Sequence, residues 1–231
     1  MKLADLAKDK TAALIVIDQQ IDFEPGGALA VAGGDEIVLG ISKLMNEFQN
    51  VILTQDSHPK GHISFASSYE GKKPFELLTL KEVEAGSIRS KFSNELLVNY
   101  LKRVPHQLQV LWPDHCVTET NGWKINPNLP IEKASFILKK GMRLECDSYS
   151  AFFENDGTPT GLSKILREKK INKVVLVGLA GDYCVYWSAE DAHKEVFEVI
   201  YLQNLTRFVN FPENSKEKAL THLREIGVQV D

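Results

Sequence analysis

Short runs of apolar residues alternate along this chain with segments in which apolar residues recur at helical spacing. The runs are rich in β-branched residues and predict strands at residues 12–17, 51–56, 134–140, 172–179 and 197–203. The helical spacing predicts helices near residues 35–49, 93–103, 160–169, 182–194 and 213–226. Asp35 is the predicted cap of the first helix. Strands that alternate with helices form right-handed βαβ units, so the pattern predicts an α/β fold of Rossmann-type topology, a three-layer sandwich whose mainly parallel central sheet is flanked by helices.

Residues 57–109 follow this alternation less closely. Apart from the helix predicted at 93–103, they contain a loop and the charged stretch EGKKPFELLTLKEVEAG. A segment of this kind is a lid, an oligomer contact or a surface excursion, and the pattern leaves the choice open. A chain of 231 residues can bury one sizeable core. We therefore expect a single domain over residues 1–231, with an elaborated loop region at about 57–109.

Composition and charge narrow the classes of protein to consider. Hydrophobic residues make up 43% of the chain and charged residues 25%, as in ordinary globular proteins. The net charge is −4 with scattered lysines and arginines, which argues against nucleic-acid or membrane partners. The first ten residues, MKLADLAKDK, lack the apolar centre of a signal peptide. Cys116, Cys146 and Cys184 are odd in number and form no CxxC pair, so we expect a reduced, cytoplasmic protein.

Reactive side chains follow four of the predicted elements. Asp18, Asp56 and Lys140 end predicted strands, and Cys184 follows the apolar run VVLVGLAG where a helix begins. The carboxyl ends of parallel strands share one edge of a sheet, so these groups can converge there. A cysteine in the first turn of a helix can have its pKa lowered from about 8.5 to roughly 3.5–7.5. Taken singly, each has an ordinary structural explanation: a turn cap, a solvated charge or a small core residue.

Taken together, Asp18, Lys140 and Cys184 are suited to attack on a carbonyl carbon. A thiol needs a base, and a carboxylate in an apolar pocket can have a raised pKa suited to that role. The lysine would separate the two anionic groups and complement negative charge that develops on a substrate.

A second candidate site combines carboxylate and imidazole groups. Asp56 and His58 occupy alternate positions of an extended segment, and His115 follows a turn in LWPDHCVTETNG. These ligand types suit Zn²⁺, Fe²⁺ or Mn²⁺ with positions left open for water or substrate. His62 is an additional candidate ligand. From spacing alone, ordinary surface or packing roles for these histidines remain open.

Five segments together carry a family resemblance over residues 12 to about 211, which is weakest across residues 71–108. They are IVIDQQIDFEPGGALAVAGG, TQDSHPKGHISFA, LWPDHCVTETNG, KKGMRLECDSYSAF and VGLAGDYCVYWSAEDA. In order and separation they resemble the nicotinamidases, or pyrazinamidases, of the isochorismatase-like cysteine hydrolase superfamily. The segments WPDHCV and DSH are similar to those of the metal-dependent members. Ile21, Gly181 and Trp123 depart from the family pattern and put the shape of the pocket in question.

The resemblance implies a role for each matching residue. It implies the catalytic triad Asp18, Lys140 and Cys184, an oxyanion hole from the N–H groups of Ala180 and Cys184, the metal ligands Asp56, His58 and His115, and the substrate walls Phe23, Trp112 and Tyr149. His62 is the nearest match to a fourth ligand found in some members. The family often has a cis peptide before the alanine of the GLA turn, here between Leu179 and Ala180.

The resemblance also implies an activity. It is the hydrolysis of nicotinamide, and of pyrazinamide, through a cysteine thioester, a reaction of NAD salvage. It implies one divalent metal ion, with Zn²⁺ expected first and Fe²⁺ or Mn²⁺ as alternatives, and a homo-oligomer. Two other classes stay open at this point: a metal-independent relative acting on another amide, a carbamoyl compound or an isochorismate-like ether, and a catalytically silent ligand-binding protein.

Overall fold

A computed structural model describes residues 3–231 of the chain. Eight strands are present: β1 (Ala12–Ile17), β2 (Val51–Asp56), β3 (Leu77–Thr79), β4 (Leu108–Val110), β5 (Phe136–Lys140), β6 (Lys173–Gly178), β7 (Glu198–Thr206) and β8 (Gln229–Val230). Seven α-helices accompany them: α1 (Leu3–Lys8), α2 (Val38–Glu47), α3 (Leu80–Glu84), α4 (Asn94–Leu101), α5 (Leu162–Glu168), α6 (Cys184–Lys194) and α7 (Ser215–Glu225). All five predicted strands and all five predicted helices are present, with ends that shift by up to three residues.

The central sheet has six strands in the order β5-β2-β1-β6-β7-β8, and all neighbouring pairs are parallel. Alternate residues of β1 face opposite layers. Leu14 and Val16 join the apolar cluster that includes α1 and α2, whereas Ile15 and Ile17 join the cluster that includes α5, α6 and α7. Because β1 is buried on both faces, its sequence is one continuous apolar run. The predicted α/β sandwich with a parallel sheet is confirmed.

Residues 57–111 contain more regular structure than their sequence pattern predicts. β3 and β4 form an antiparallel pair, and α3 and α4 pack against each other over a separate apolar cluster that includes Ile63, Leu78 and Leu97. The sequence TLKE is typical of a helix N-terminus and could have predicted α3. Thr79 and Glu82 form a capping box, in which each side chain accepts from the other residue's backbone N–H.

The predicted start of α2 is wrong. The helix begins at Val38 with Ile37 as its N-cap, and no side chain caps it. Asp35 lies in the preceding turns, where its carbonyl accepts from the Val38 N–H. Asp35 therefore closes a turn before the helix. Among the described residues, no helix is both long and apolar enough to cross a bilayer.

Candidate active site

Four reactive side chains come together at the carboxyl edge of the sheet. β5, β2, β1 and β6 are neighbours in the sheet, so Lys140, Asp56, Asp18 and the turn before Cys184 lie side by side. All four of these side chains are buried. The backbone of Asp18 has a φ of 45°, a left-handed conformation that is uncommon for residues other than glycine and frequent at functional sites.

The ammonium group of Lys140 is the centre of this cluster. Its Nζ lies 2.8 Å from Asp18 Oδ2, 3.1 Å from Asp56 Oδ1 and 3.5 Å from Cys184 Sγ. It also donates to the carbonyl of Ser148 at 2.8 Å. Burial by itself lowers the pKa of Lys140, but the two carboxylates more than offset this, so its pKa lies well above the ordinary value. The lysine is therefore a fixed positive charge between two acids and a thiol.

Asp18 is held so that one oxygen faces this centre. The Thr54 hydroxyl donates to Asp18 Oδ1 at 2.5 Å and accepts from the Asp18 N–H at 3.0 Å. Burial raises the pKa of Asp18 above its ordinary value, while the neighbouring Lys140 opposes the rise. A buried carboxyl group with a raised pKa is suited to accept and return protons.

The surroundings of Cys184 favour the neutral thiol, in contrast to the thiolate expected at a helix N-terminus. Burial raises its pKa well above the ordinary value, a hydrogen bond to Asp18 adds to the rise, and Lys140 opposes it. The prediction of a lowered pKa is therefore wrong for the side chain in this environment, because burial outweighs the first turn of the helix. A neighbouring base that takes the thiol proton would therefore assist attack by the sulfur.

The two residues of the predicted oxyanion hole, Ala180 and Cys184, line the same small cavity. The peptide bond between Leu179 and Ala180 is cis, as the resemblance implied. Within residues 3–231, the N–H groups of Ala180 and Cys184 donate to no other backbone or side-chain group, although Gly181, Tyr183 and Val185 in the same turn all do. Free N–H groups beside a nucleophile are suited to bind an oxyanion.

The predicted metal ligands converge beside this cluster. One ligand atom each from Asp56, His58 and His115 lies within 4.8 Å of the others. The Nε2 atoms of His58 and His115 are 2.9 and 3.5 Å from Asp56 Oδ2. Their Nδ1 atoms face the carbonyls of Gly141 at 2.9 Å and Pro113 at 2.8 Å. Each Nδ1 can donate to its carbonyl, which leaves Nε2 free to act as a ligand once it is deprotonated. Two imidazoles and one carboxylate in this arrangement fit a divalent metal ion.

His62 lies outside this set, in a second group with His58 and Asp147 whose ligand atoms also lie within 4.8 Å of one another. Its Nδ1 lies 2.8 Å from the Ser64 hydroxyl and its Nε2 lies 3.0 Å from the Cys146 carbonyl, so both ring nitrogens have partners. The ring stacks on His58 at a centroid distance of 4.1 Å. Burial lowers the pKa of His62 well below its ordinary value, and the neighbouring His58 adds to this effect.

The three predicted walls border a small cavity beside Cys184. Phe23, Trp112 and Tyr149 all line it, and its volume is about 20 Å³. Four further residues to which the sequence pattern assigns no role also line the cavity, and they are Leu29, Asp147, Tyr183 and Val209. Tyr183 had a local signal, since it directly precedes Cys184, whereas the others come from distant segments.

Two supporting residues were also missed. Gln20 clamps the backbone of Asp56: its amide oxygen accepts from the Asp56 N–H at 2.7 Å, and its amide nitrogen donates to the Asp56 carbonyl at 2.9 Å. Gly141 has a φ of 65° and packs so closely that an added Cβ would lie 2.6 Å from His58 Cε1 and 2.9 Å from Asp56 Oδ1. Both residues hold candidate metal ligands in position.

Two departures from the family pattern have local partners. A Cβ at Gly181 would lie 2.5 Å from the Phe208 ring and 2.6 Å from the Tyr201 hydroxyl, so these side chains fill the space that a larger residue would need. The Trp123 indole donates to the Ser57 hydroxyl at 2.8 Å, next to Asp56 and His58. For Ile21 the structure shows no comparable compensation.

The sheet and its edge define a class: an α/β protein with a buried aspartate, lysine and cysteine beside a candidate metal centre. The isochorismatase domain model matches residues 12–230, so the chain belongs to the isochorismatase domain family.

Relatives agree with this assignment. A nicotinamidase of Acinetobacter baylyi is 43% identical over 183 residues, covering 79% of this chain and 74% of the relative. The structure of a nicotinamidase and pyrazinamidase of Acinetobacter baumanii matches with a TM-score of 0.84 and 38% identity, covering 96% of each chain. A Pyrococcus horikoshii pyrazinamidase in complex with zinc matches with a TM-score of 0.70 and 30% identity, covering 96% of this chain and 98% of that one.

Proposed function

We propose that this chain is a metal-dependent amidohydrolase that converts nicotinamide to nicotinate and ammonia, and that it also accepts pyrazinamide. The observation that carries the proposal is the contact of Lys140 with Asp18 at 2.8 Å and with Cys184 at 3.5 Å, inside a pocket with aromatic walls. The relatives named nicotinamidase at up to 43% identity support the same reaction. The hydrolysis belongs to NAD salvage.

The first half of the reaction forms a thioester. Asp18 takes the thiol proton as Cys184 Sγ bonds to the carboxamide carbon, and the carbonyl oxygen becomes an anion. The N–H groups of Ala180 and Cys184 bind this oxyanion, and losing one such donor costs about 10²–10³ in rate. The carbon–nitrogen bond then breaks, and Asp18 gives its proton to the departing nitrogen, which leaves as ammonia. Lys140 stays charged throughout and balances the negative charge as it moves from carboxylate to substrate.

The second half releases the acid. Asp18 removes a proton from water as the water oxygen bonds to the thioester carbon. The resulting oxyanion collapses with loss of the carbon–sulfur bond, and Asp18 returns the proton to the sulfur. Phe23, Trp112 and Tyr149 hold the ring between apolar surfaces and exclude other water molecules.

Asp56, His58 and His115 would hold the metal ion. We propose Zn²⁺, because the Pyrococcus horikoshii relative is described in complex with zinc and two imidazoles with one carboxylate suit that ion. When bound, the ion supplies a Lewis acid at the pocket wall. The cysteines of the described residues are free and buried, which supports a reducing, cytoplasmic location.

The test is a substrate panel with the metal measured in parallel. Purified protein is incubated with nicotinamide, pyrazinamide, a carbamoyl compound and an aliphatic amide, and ammonia release is followed. We expect release from the two ring amides and a divalent metal at close to one ion per chain. Hydrolysis of the carbamoyl compound alone by metal-free protein would instead identify a metal-independent relative, and no hydrolysis would indicate a silent ligand-binding protein.

A further inference from the structure

The cavity beside Cys184 is narrow. Its volume is about 20 Å³, close to the space that one water molecule needs, about 10–15 Å³. The free space at Cys184 is therefore set by the positions of the side chains that form its walls.

A second and much larger cavity lies directly behind this wall. It has a volume of about 690 Å³, within the range of about 300–1,000 Å³ that is common for ligand pockets. It is bordered by β4, by the segment around Phe153 and by α6 and α7, and Tyr186 and Lys218 are among its lining residues. Tyr149 and Tyr183 line both cavities. We call the large cavity the vestibule.

The two shared tyrosines are held very differently. The Tyr149 hydroxyl accepts from the Gln109 side-chain amide at 3.0 Å and from the Trp112 indole at 3.1 Å. The backbone N–H of Tyr149 is also bonded, to the Asn155 side chain at 2.9 Å. Among residues 3–231, the Tyr183 side chain makes one hydrogen bond, from its hydroxyl to the carbonyl of Phe211. Tyr149 is a fixed part of the wall, whereas Tyr183 has a single tether.

The surroundings of Tyr183 allow its ring to rotate out of the wall between the two cavities. The ring packs edge to face on Trp112 at 4.8 Å and on Tyr149 at 5.4 Å, contacts that hold it weakly compared with burial in a core. Tyr183 is only half-buried, and the vestibule on its far side has room for a tyrosine side chain. Rotation of Tyr183 would join the two cavities.

We propose that Tyr183 is a gate, and that substrate reaches Cys184 from the vestibule when this ring swings away from Trp112 and Tyr149. The hydroxyl bond to Phe211 holds the gate closed, and the aromatic rings around the vestibule bind a flat heteroaromatic amide before it passes. The identity of that amide rests on the proposed function, but the gate itself does not.

Alkylation of Cys184 by iodoacetamide tests the gate without any hydrolysis. The rate is followed on metal-loaded protein by mass spectrometry of the peptide that contains Cys184, with buried Cys116 and Cys146 as internal references. Tyr183→Phe removes the tether and keeps the ring. We expect it to raise the alkylation rate about two- to tenfold, the shift in population that follows from losing one ordinary hydrogen bond. Tyr186→Phe is the matched control, because Tyr186 lines only the vestibule.

Obstruction of the vestibule tests the path. Lys218→Trp places a large side chain at an exposed position of the vestibule lining, and Lys43→Trp makes the same change on the exposed face of α2. We expect Lys218→Trp to lower both the alkylation rate and kcat/KM for nicotinamide at least about threefold, with kcat changed less, and Lys43→Trp to change neither.

Two results would overturn the gate: a Tyr183→Phe rate equal to that of Tyr186→Phe, or a Lys218→Trp rate equal to that of Lys43→Trp. The gate and the proposed function fail separately. A chain that does not hydrolyse nicotinamide but whose alkylation follows the expected pattern keeps the gate and refutes the function. If the chain hydrolyses nicotinamide and none of the four substitutions changes the alkylation rate, the proposed function stands and the gate is refuted.

Discussion

Two regions of the molecule are built on different principles: the sheet edge that carries Asp18, Lys140 and Cys184, and the elaborated region at residues 57–109. At the sheet edge, parallel strands buried on both faces bring charged groups from distant parts of the chain to within bonding distance. The elaborated region relies on local pairs: a capping box, two short antiparallel strands and a separate apolar cluster. The first arrangement brings reactive side chains together, and the second forms a structural layer beside them. Substitutions in the two regions should therefore have separable effects.

The largest expected effect is the loss of the nucleophile. Cys184→Ala should lower kcat/KM for nicotinamide by at least about 10⁴-fold, since members of a catalytic triad act as a unit. Metal content and the thermal unfolding midpoint should stay close to those of the parent protein. Ammonia release and metal content are measured together.

Cys146→Ala is the matched control in the apolar cluster of the elaborated region. Cys146 is buried and belongs to the separate apolar cluster, so its removal should cost stability and leave activity within about twofold. If Cys184→Ala retained substantial turnover, or if both variants were equally inactive, the thioester route would be wrong.

Leu97→Ala tests whether the elaborated region unfolds separately from the sheet. This side chain is fully buried in the elaborated region's own cluster, and Leu→Ala in such a site costs about 2–5 kcal/mol. Because the cluster is separate from the two that flank the sheet, we expect Leu97→Ala to raise hydrogen exchange across residues 77–110 while β1 and β6 stay protected.

Leu14→Ala is the matched substitution in the sheet, since Leu14 is equally buried in β1. It should raise exchange across the whole described chain. Exchange that rises in β1 to the same degree in both variants would show that the elaborated region and the sheet unfold as one cooperative unit.

The same contrast explains how far the sequence predicts the site. Asp18, Asp56 and Lys140 each end an apolar run, so topology alone brings them together, and the order of the motifs identifies His115. Gln20 and Asp147 have no such local signal, because their partners are remote in the chain. His62 shows the limit of spacing: it lies four residues after His58 and stacks on it, yet both its nitrogens bond elsewhere. The pKa of Cys184 depends on burial, which a helix position does not reveal.

The smallest expected effect comes from a single methyl group at the sheet edge. In Gly141→Ala the new Cβ would lie 2.6 Å from the His58 ring and 2.9 Å from Asp56 Oδ1, so the two candidate metal ligands must shift. Displacing groups that orient metal ligands costs about 10–100-fold in affinity, and we expect a loss of that size in a competition titration with a chelator.

Gly71→Ala is the control in the elaborated region. Gly71 has a φ of 78°, close to the 65° of Gly141, but a Cβ there meets no atom within 4 Å. Both variants carry the same backbone strain, so a difference in metal affinity isolates the contact with His58 and Asp56. Equal affinity in the two variants would mean that Asp56 and His58 do not hold the metal in this geometry.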